Sequence, residues 1–249
     1  MSLSVNASVH RGQHLCLPFE TDDEKQAAVV SFLHEGLSHG NRCQFVGTPA
    51  EFEDLGRRLE IEGICTVRAQ ARGALVFLTP EQAYLHDGVF DPSRVLARIA
   101  KDIDQALAEG FTGLRGTGEL MYIPKADEWQ KIVWYEAQLN EHFARQPFAG
   151  LCRYPRSVVP PDRVRDVLRT HPVAMVRGEA CENPFYERPA LALSDDSSAR
   201  LDWQLHQLHV GNRTQRQLEG KTVSAVTAAV ELATELEELR ATLRKSSLD

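Results

Sequence analysis

The sequence predicts an α/β domain, a mostly parallel sheet with helices on both faces, followed by a C-terminal helical extension. Two observations predict the domain. Strand-length apolar runs alternate with helical periods from His14 onward, and the junctions carry glycine, proline or capping residues. A third predicts the extension: residues 190–249 contain no proline and glycine only at Gly211 and Gly220. A length of 249 residues suits one α/β domain of about 190 residues plus such a segment.

The first unit sets the pattern. Residues 14–19 read as a strand, 20–25 as an acidic loop, 26–38 as a helix and 42–46 as a second strand, with Gly40 at the turn. In the helix, Ala27, Val30, Phe32, Leu33 and Leu37 give a one-sided apolar period. A nucleotide-binding unit of this layout needs a glycine-rich loop after the first strand, ending in Lys-Ser/Thr, whose N–H groups cradle phosphate. Here that loop, from Phe19 to Lys25, has no glycine and four carboxylates. Like charges repel a triphosphate, so no ATP binding is expected. The layout is that of a P-loop domain with the phosphate site lost. His14 and Cys16 lie two apart on the strand and therefore share a face of the sheet.

The remaining elements follow in order. Residues 1–12 form a short lead-in. Thr48 caps a helix that opens on Pro49 and ends near Gly63. Residues 65–68 predict a short strand and 74–78 a clearer one. Residues 79–92 predict a loop with a helical turn. Asp91-Pro92-Ser93 cap a helix running to about Glu109, with Gly110 as its stop. Residues 113–122 read as a strand with three glycines, which argue for close approach of a backbone or a ligand. Residues 127–145 predict a helix with Trp129, Ile132, Val133, Trp134, Leu139 and Phe143 among its apolar positions. A strand at 148–154, a helix at 161–170 and a last strand at 172–177 complete the sheet, and residues 183–189 leave it as an extended tail. No internal repeat is visible.

Within residues 190–249, a linker at 195–198 precedes leucines at 4-3 spacing: Leu201, Leu205 and Leu208, then Leu232, Leu236, Leu239 and Leu243. These are heptad positions. Residues 211–214 and 220–222 interrupt the register, which predicts two helices or one kinked helix. Such a segment either folds back on the sheet or makes a hairpin or coiled coil that dimerises or docks a partner.

Composition narrows the function. A net charge of −7 argues against direct nucleic-acid binding, which relies on Lys and Arg neutralising phosphates. No run of apolar residues is long enough to span a membrane, and the N-terminus lacks a signal-peptide pattern. Cysteines at 16, 43, 65, 152 and 181 have no Cys-x-x-Cys spacing. Their odd number predicts reduced thiols and a cytoplasmic protein. Ser-His-Asp order, HExxH and a nucleophile elbow are all missing. The glycines from Gly113 to Gly118 follow GxxGxG within a strand, a weak nucleotide signal. The expectation is a protein that is not an enzyme.

Two readings of His14 and Cys16 stand: a ligand pair for a metal or small molecule, or a hydrogen-bonded edge histidine beside a buried core cysteine. Two ligands do not make a metal site, and further ones would come from Glu119, Cys152 or His171. Open α/β sheets bind ligands at the carboxyl ends of their strands. On that rule His14, Cys16, Phe19, Glu119, Cys152 and Tyr154 are the candidate ligand-binding residues. Glu119 also reads as a helix cap or surface carboxylate. Glu136 and Asn140 share a helix face, and a structural role is favoured for them. His171, before Pro172, reads as a residue that opens a strand.

The motifs HLCLPFE, FLHEGLSHGNRCQFV, LTPEQAYLHDGVFDP, GLRGTGEL, WYEAQLN, LCRYP, RTHPV and ENPFYERP, in that order, resemble the MEDS domain (methanogen/methylotroph, DcmR sensory domain). The resemblance covers about residues 10–190 and leaves 191–249 as the helical segment. It implies a fold related to RecA/KaiC-type P-loop domains. It also implies a signal-input role, proposed for the family to involve small hydrocarbon derivatives, with the family's His-x-Cys motif falling on His14 and Cys16. MEDS domains often sit beside an output domain. Here no DNA-binding unit or kinase core is expected in the short segments on either side. Output is therefore expected to pass through the C-terminal helices to a regulatory protein partner or through a homodimer. The alternative is a ligand-free scaffold for a kinase or transcription regulator. Beyond a metal ion at His14 and Cys16, the sequence points to no cofactor.

Overall fold

The computed structural model describes residues 12–120 and 128–246. The lead-in up to residue 11, the stretch 121–127 and the last three residues lie outside the described residues. The chain divides into two units, Met1–Ser194 and Asp195–Asp249.

The first unit is built on seven strands in the order β3-β2-β6-β7-β1-β8-β9. They are β1 (Gln13–Phe19), β2 (Arg42–Val46), β3 (Leu75–Leu78), β6 (Leu114–Gly118), β7 (Phe148–Pro155), β8 (Val173–Val176) and β9 (Glu179–Glu182). All neighbours pair in parallel except β9, which runs antiparallel to β8. Helices α1 (Asp22–Ser38), α2 (Pro49–Ile61) and α3 (Thr66–Ala71) cover one face, and α5 (Pro92–Ala108), α6 (Trp129–Phe143) and α7 (Pro161–Thr170) the other. The alternation of β1 and β7 divides the core. Leu15, Leu17, Ala149 and Leu151 pack toward α1, whereas Cys16, Phe148 and Tyr154 pack toward α6.

Several local outcomes differ from the sequence reading. The acidic stretch after β1 is the first turn of α1. Thr21 caps it, accepting from the Glu24 N–H at 3.2 Å, and Asp22, Asp23 and Glu24 occupy that turn. Carboxylates there favour the positive end of the helix dipole. Residues 66–71 are helix α3 rather than strand. Tertiary contact overrides the β-branched pair, because Thr66 is buried and its hydroxyl donates to Glu60 at 2.6 Å. Residues 79–92 hold α4 (Pro80–Tyr84) and a two-stranded ribbon, β4 (Leu85–His86) with β5 (Val89–Phe90). Asp87 and Gly88 turn it with φ of 51° and 74°, the positive pair a type I′ hairpin needs. Strand β9 was not expected.

Two of the three glycines on and before β6, Gly113 and Gly118, serve protein packing. A Cβ at Gly113 would lie 2.4 Å from the Pro147 carbonyl oxygen, and one at Gly118 would lie 1.7 Å from the Tyr84 hydroxyl. The close approach is made by the chain itself. After α8 (Pro189–Ala192), the second unit carries a single helix, α9 (Ser197–Ser246). Of the two expected forms, two helices or one kinked helix, the two-helix form is not found: the helix runs on through Gly211 and Gly220. Glycine inside a helix costs only about 1 kcal/mol, and no proline is present to remove a backbone bond. Among the described residues no helix is long and apolar enough to cross a membrane.

Candidate functional site

On the α6 side of the sheet, a group of polar side chains is buried together at one place. There β1 contributes His14, β7 contributes Cys152 and Tyr154, α6 contributes Glu136 and Asn140, and the α7–β8 junction contributes His171. His14, Glu136, Tyr154 and His171 are all at most 2 % exposed. Glu136 is the centre. Its Oε2 lies 3.0 Å from His14 Nε2, 3.4 Å from His171 Nε2 and 3.4 Å from Cys152 Sγ. Its Oε1 accepts from the Tyr154 hydroxyl. His14 Nε2 is also 3.4 Å from Cys152 Sγ, and the two imidazole centroids are 4.0 Å apart.

The outer partners fix both imidazoles. Asn140 donates its amide N–H groups to the carbonyls of Thr170 at 2.7 Å and Glu136 at 3.1 Å. Its Oδ1 is therefore the atom that faces His14 Nδ1, at 3.2 Å, and the His14 proton sits on Nδ1. His171 Nδ1 lies 2.8 Å from the Val167 carbonyl and donates to it. Both rings thus direct an Nε2 lone pair toward the Glu136 carboxylate. The remaining donors are one thiol and one phenol, Cys152 and Tyr154. His171 Nε2 is buried with no hydrogen-bond partner. Burial, and then the neighbouring His171, push the His14 pKa down to about 4, so it stays neutral near pH 7. Burial, followed by the Glu136 charge, pushes the Cys152 thiol well up.

The structure brings together His14, Cys152 and Tyr154 from the expected set, and His171 from the wider metal set. It does not bring in the others. Cys16 sits beside Cys152 in register, but its thiol donates to the Val173 carbonyl at 3.7 Å. The His14 ring reaches sideways to β7, since a residue two along its own strand is about 7 Å away. The side chain beside the His14 ring is thus Cys152, at 3.4 Å, rather than Cys16. Phe19 packs in the core on the α1 face, with the Lys25 ammonium 5.7 Å from its ring centroid. Glu119 is half-buried, and its pKa is raised by burial against the opposing charges of Arg153 and Lys25. The polar cluster also lies toward the amino ends of β1 and β8, not at the carboxyl edge of the sheet, because His14 is the second residue of β1 and His171 precedes β8.

Sequence reasoning assigned Glu136 and Asn140 to structure. One signal pointed further. On α6, Glu136 falls in the same stripe as buried Trp129, Ile132, Val133 and Phe143. A carboxylate on an apolar helix face is rarely buried without a partner.

A search of curated proteins gives no match. Among solved structures, a KaiC-like protein from the hyperthermophilic archaeon Pyrococcus horikoshii OT3 is similar, with a TM-score of 0.45 and 14 % identity, covering 66 % of this chain and 70 % of that one. The family model of the MEthanogen/methylotroph, DcmR Sensory domain matches residues 13–172. That span holds every residue of the buried cluster, from His14 to His171, and the chain belongs to the MEDS family.

Proposed function

We propose that the protein is a cytosolic, non-enzymatic sensory module that takes its input at the buried His14–Glu136–Cys152–His171 cluster and passes it through α9 to a regulatory partner. The observation that carries this reading is the cluster itself. Four ligand-type side chains converge beside a hydrophobic cluster, inside a domain of a sensory family. Convergent buried polar groups of this kind are more costly than an apolar core unless something binds them.

Several features support sensing over catalysis. The thiols of Cys16 and Cys43 are buried and pushed up by burial, Cys43 to about 12, so neither is poised as a nucleophile. Leu201, Leu205 and Leu208 of α9 are exposed at heptad spacing, as an output helix requires.

The test replaces the native gene with Glu136→Gln, or deletes it, and compares genome-wide transcript levels with wild type. Altered expression in both strains is expected for a regulatory input module. Unchanged expression in both would overturn the reading.

A further inference from the structure

The input site is specific enough to name its ligand class. We propose that His14, Glu136, Cys152 and His171 bind one divalent transition-metal ion, zinc by preference, in a closed four-ligand site. This rests on the same cluster as the sensory reading and deepens it.

Three independent arguments carry it. The first is the count of protons. Two Nε2 lone pairs and a carboxylate oxygen face one another at 3.0 and 3.4 Å. Asn140 and Val167 hold the ring protons on the far side, at Nδ1. The Cys152 thiol has a single proton, which can satisfy one acceptor only. A central cation satisfies all of them at once. It also gives the orphaned His171 Nε2 a partner.

The second is geometry. Zinc–nitrogen and zinc–oxygen bonds near 2.0–2.1 Å and zinc–sulfur bonds near 2.3 Å make tetrahedral edges of about 3.3–3.6 Å. Four of the ligand-to-ligand distances are 3.0–3.4 Å, and all four donor atoms lie within 4.8 Å of one another. Small side-chain adjustments close the remaining gaps. The outer shell is already in place: Nδ1 of each histidine donates to a carbonyl oxygen, and Tyr154 holds the second oxygen of Glu136.

The third is charge. One carboxylate and one thiolate with two neutral imidazoles sum to −2, which a dication cancels, so the buried site becomes neutral. The Cys152 proton leaves to solvent as the thiolate forms the metal–sulfur bond. Nitrogen and sulfur ligands select against magnesium and calcium, which take oxygen. Cys152 is the least buried of the four residues.

The experiment uses the full chain, stripped with a chelator and checked for folding by circular dichroism. Cobalt(II) is titrated first and zinc(II) then displaces it. The expected result is one equivalent of cobalt, with visible bands of tetrahedral intensity and a near-ultraviolet thiolate charge-transfer band, both lost on adding zinc. Cys152→Ser is expected to remove the charge-transfer band, and Glu136→Gln to weaken binding at least tenfold while the chain stays folded. If the folded wild-type chain takes up cobalt and zinc no better than Glu136→Gln, or gives only a pale octahedral spectrum without the sulfur band, the site is not a metal site. Metal binding without any expression change in the Glu136→Gln strain would sink the sensory reading and leave the metal site standing. An expression change without metal binding would do the reverse.

Discussion

His171 Nε2 lies 3.4 Å from Glu136 Oε2, while its Nδ1 donates to the Val167 carbonyl at 2.8 Å. A histidine held in this tautomer turns a lone pair toward a carboxylate inside a dry core. Without a cation between them the contact is unfavourable. This predicts an unusual response to Glu136→Gln. In chelated protein the glutamine keeps an acceptor for Tyr154 and supplies an N–H to one of the two imidazoles. Denaturant unfolding is therefore expected to show neutral or increased stability for Glu136→Gln. Glu136→Ala is expected to cost about 2–4 kcal/mol, because it strands the buried Tyr154 hydroxyl and leaves a cavity. A Glu136→Gln loss as large as that of Glu136→Ala would mean that a proton, not a metal, ties the cluster together.

Asn140 is the positioning residue of the site. It ties α6 to the end of α7 through the Thr170 carbonyl and fixes the His14 tautomer through its Oδ1. Asn140→Leu removes both contacts at similar volume. The stranded carbonyl is expected to cost about 1–3 kcal/mol, and loss of the outer-shell bond to lower zinc affinity about 10–100-fold. Competition against a chromophoric chelator measures the second effect. Asn140→Asp, which preserves the acceptor toward His14, is expected to recover affinity without recovering stability. Equal affinity in all three proteins would remove Asn140 from the site.

The contrast between fold and site explains what the sequence could disclose. Strands β1, β2 and β7 are local patterns of alternation and apolar runs, and α2 and α5 announce themselves through Thr48-Pro49 and Asp91-Pro92. The Thr66 helix was hidden because its β-branched residues follow a buried contact with Glu60 that lies outside any local pattern. The site was hidden for a similar reason. His14 and Cys152 sit on neighbouring strands but 138 positions apart, so spacing within one strand pointed to Cys16 instead. Glu136 was legible only as a charge on an apolar stripe, and its two histidine partners come from β1 and the α7–β8 junction.

The acidic first turn of α1 makes the expected lack of ATP binding testable. In this layout the phosphate would sit at the start of α1. There Lys25 is held by Asp22 at 2.8 Å and Glu51 at 3.2 Å. Thr21 and Glu24 satisfy the helix end locally. The guanidinium of fully buried Arg153 lies over Phe45 and donates to the Val46 carbonyl. Lys25 and Arg153 are thus both engaged by the protein itself, and the first-turn carboxylates oppose a triphosphate. Calorimetry of magnesium–ATP against the full chain is expected to show dilution heat only. A one-to-one isotherm with a micromolar dissociation constant would refute this.

Helix α9 carries the last prediction. At a rise of about 1.5 Å per residue, the 50 residues of α9 extend about 75 Å. Helices gain most of their stability by packing an apolar stripe. Leu201, Leu205 and Leu208 are 54 %, 55 % and 71 % exposed, at 4-3 spacing, and form an apolar stripe along the helix. A second copy of the same helix supplies an identical stripe, which is the simplest cover for a heptad seam. Light scattering is expected to show a concentration-dependent dimer for the native chain. Replacing the three leucines together with glutamine, which has similar helix propensity, is expected to give a monomer with a weaker helical signal. A native chain that remains monomeric with full helicity at every concentration would rule out self-association, and the stripe would then await a different protein.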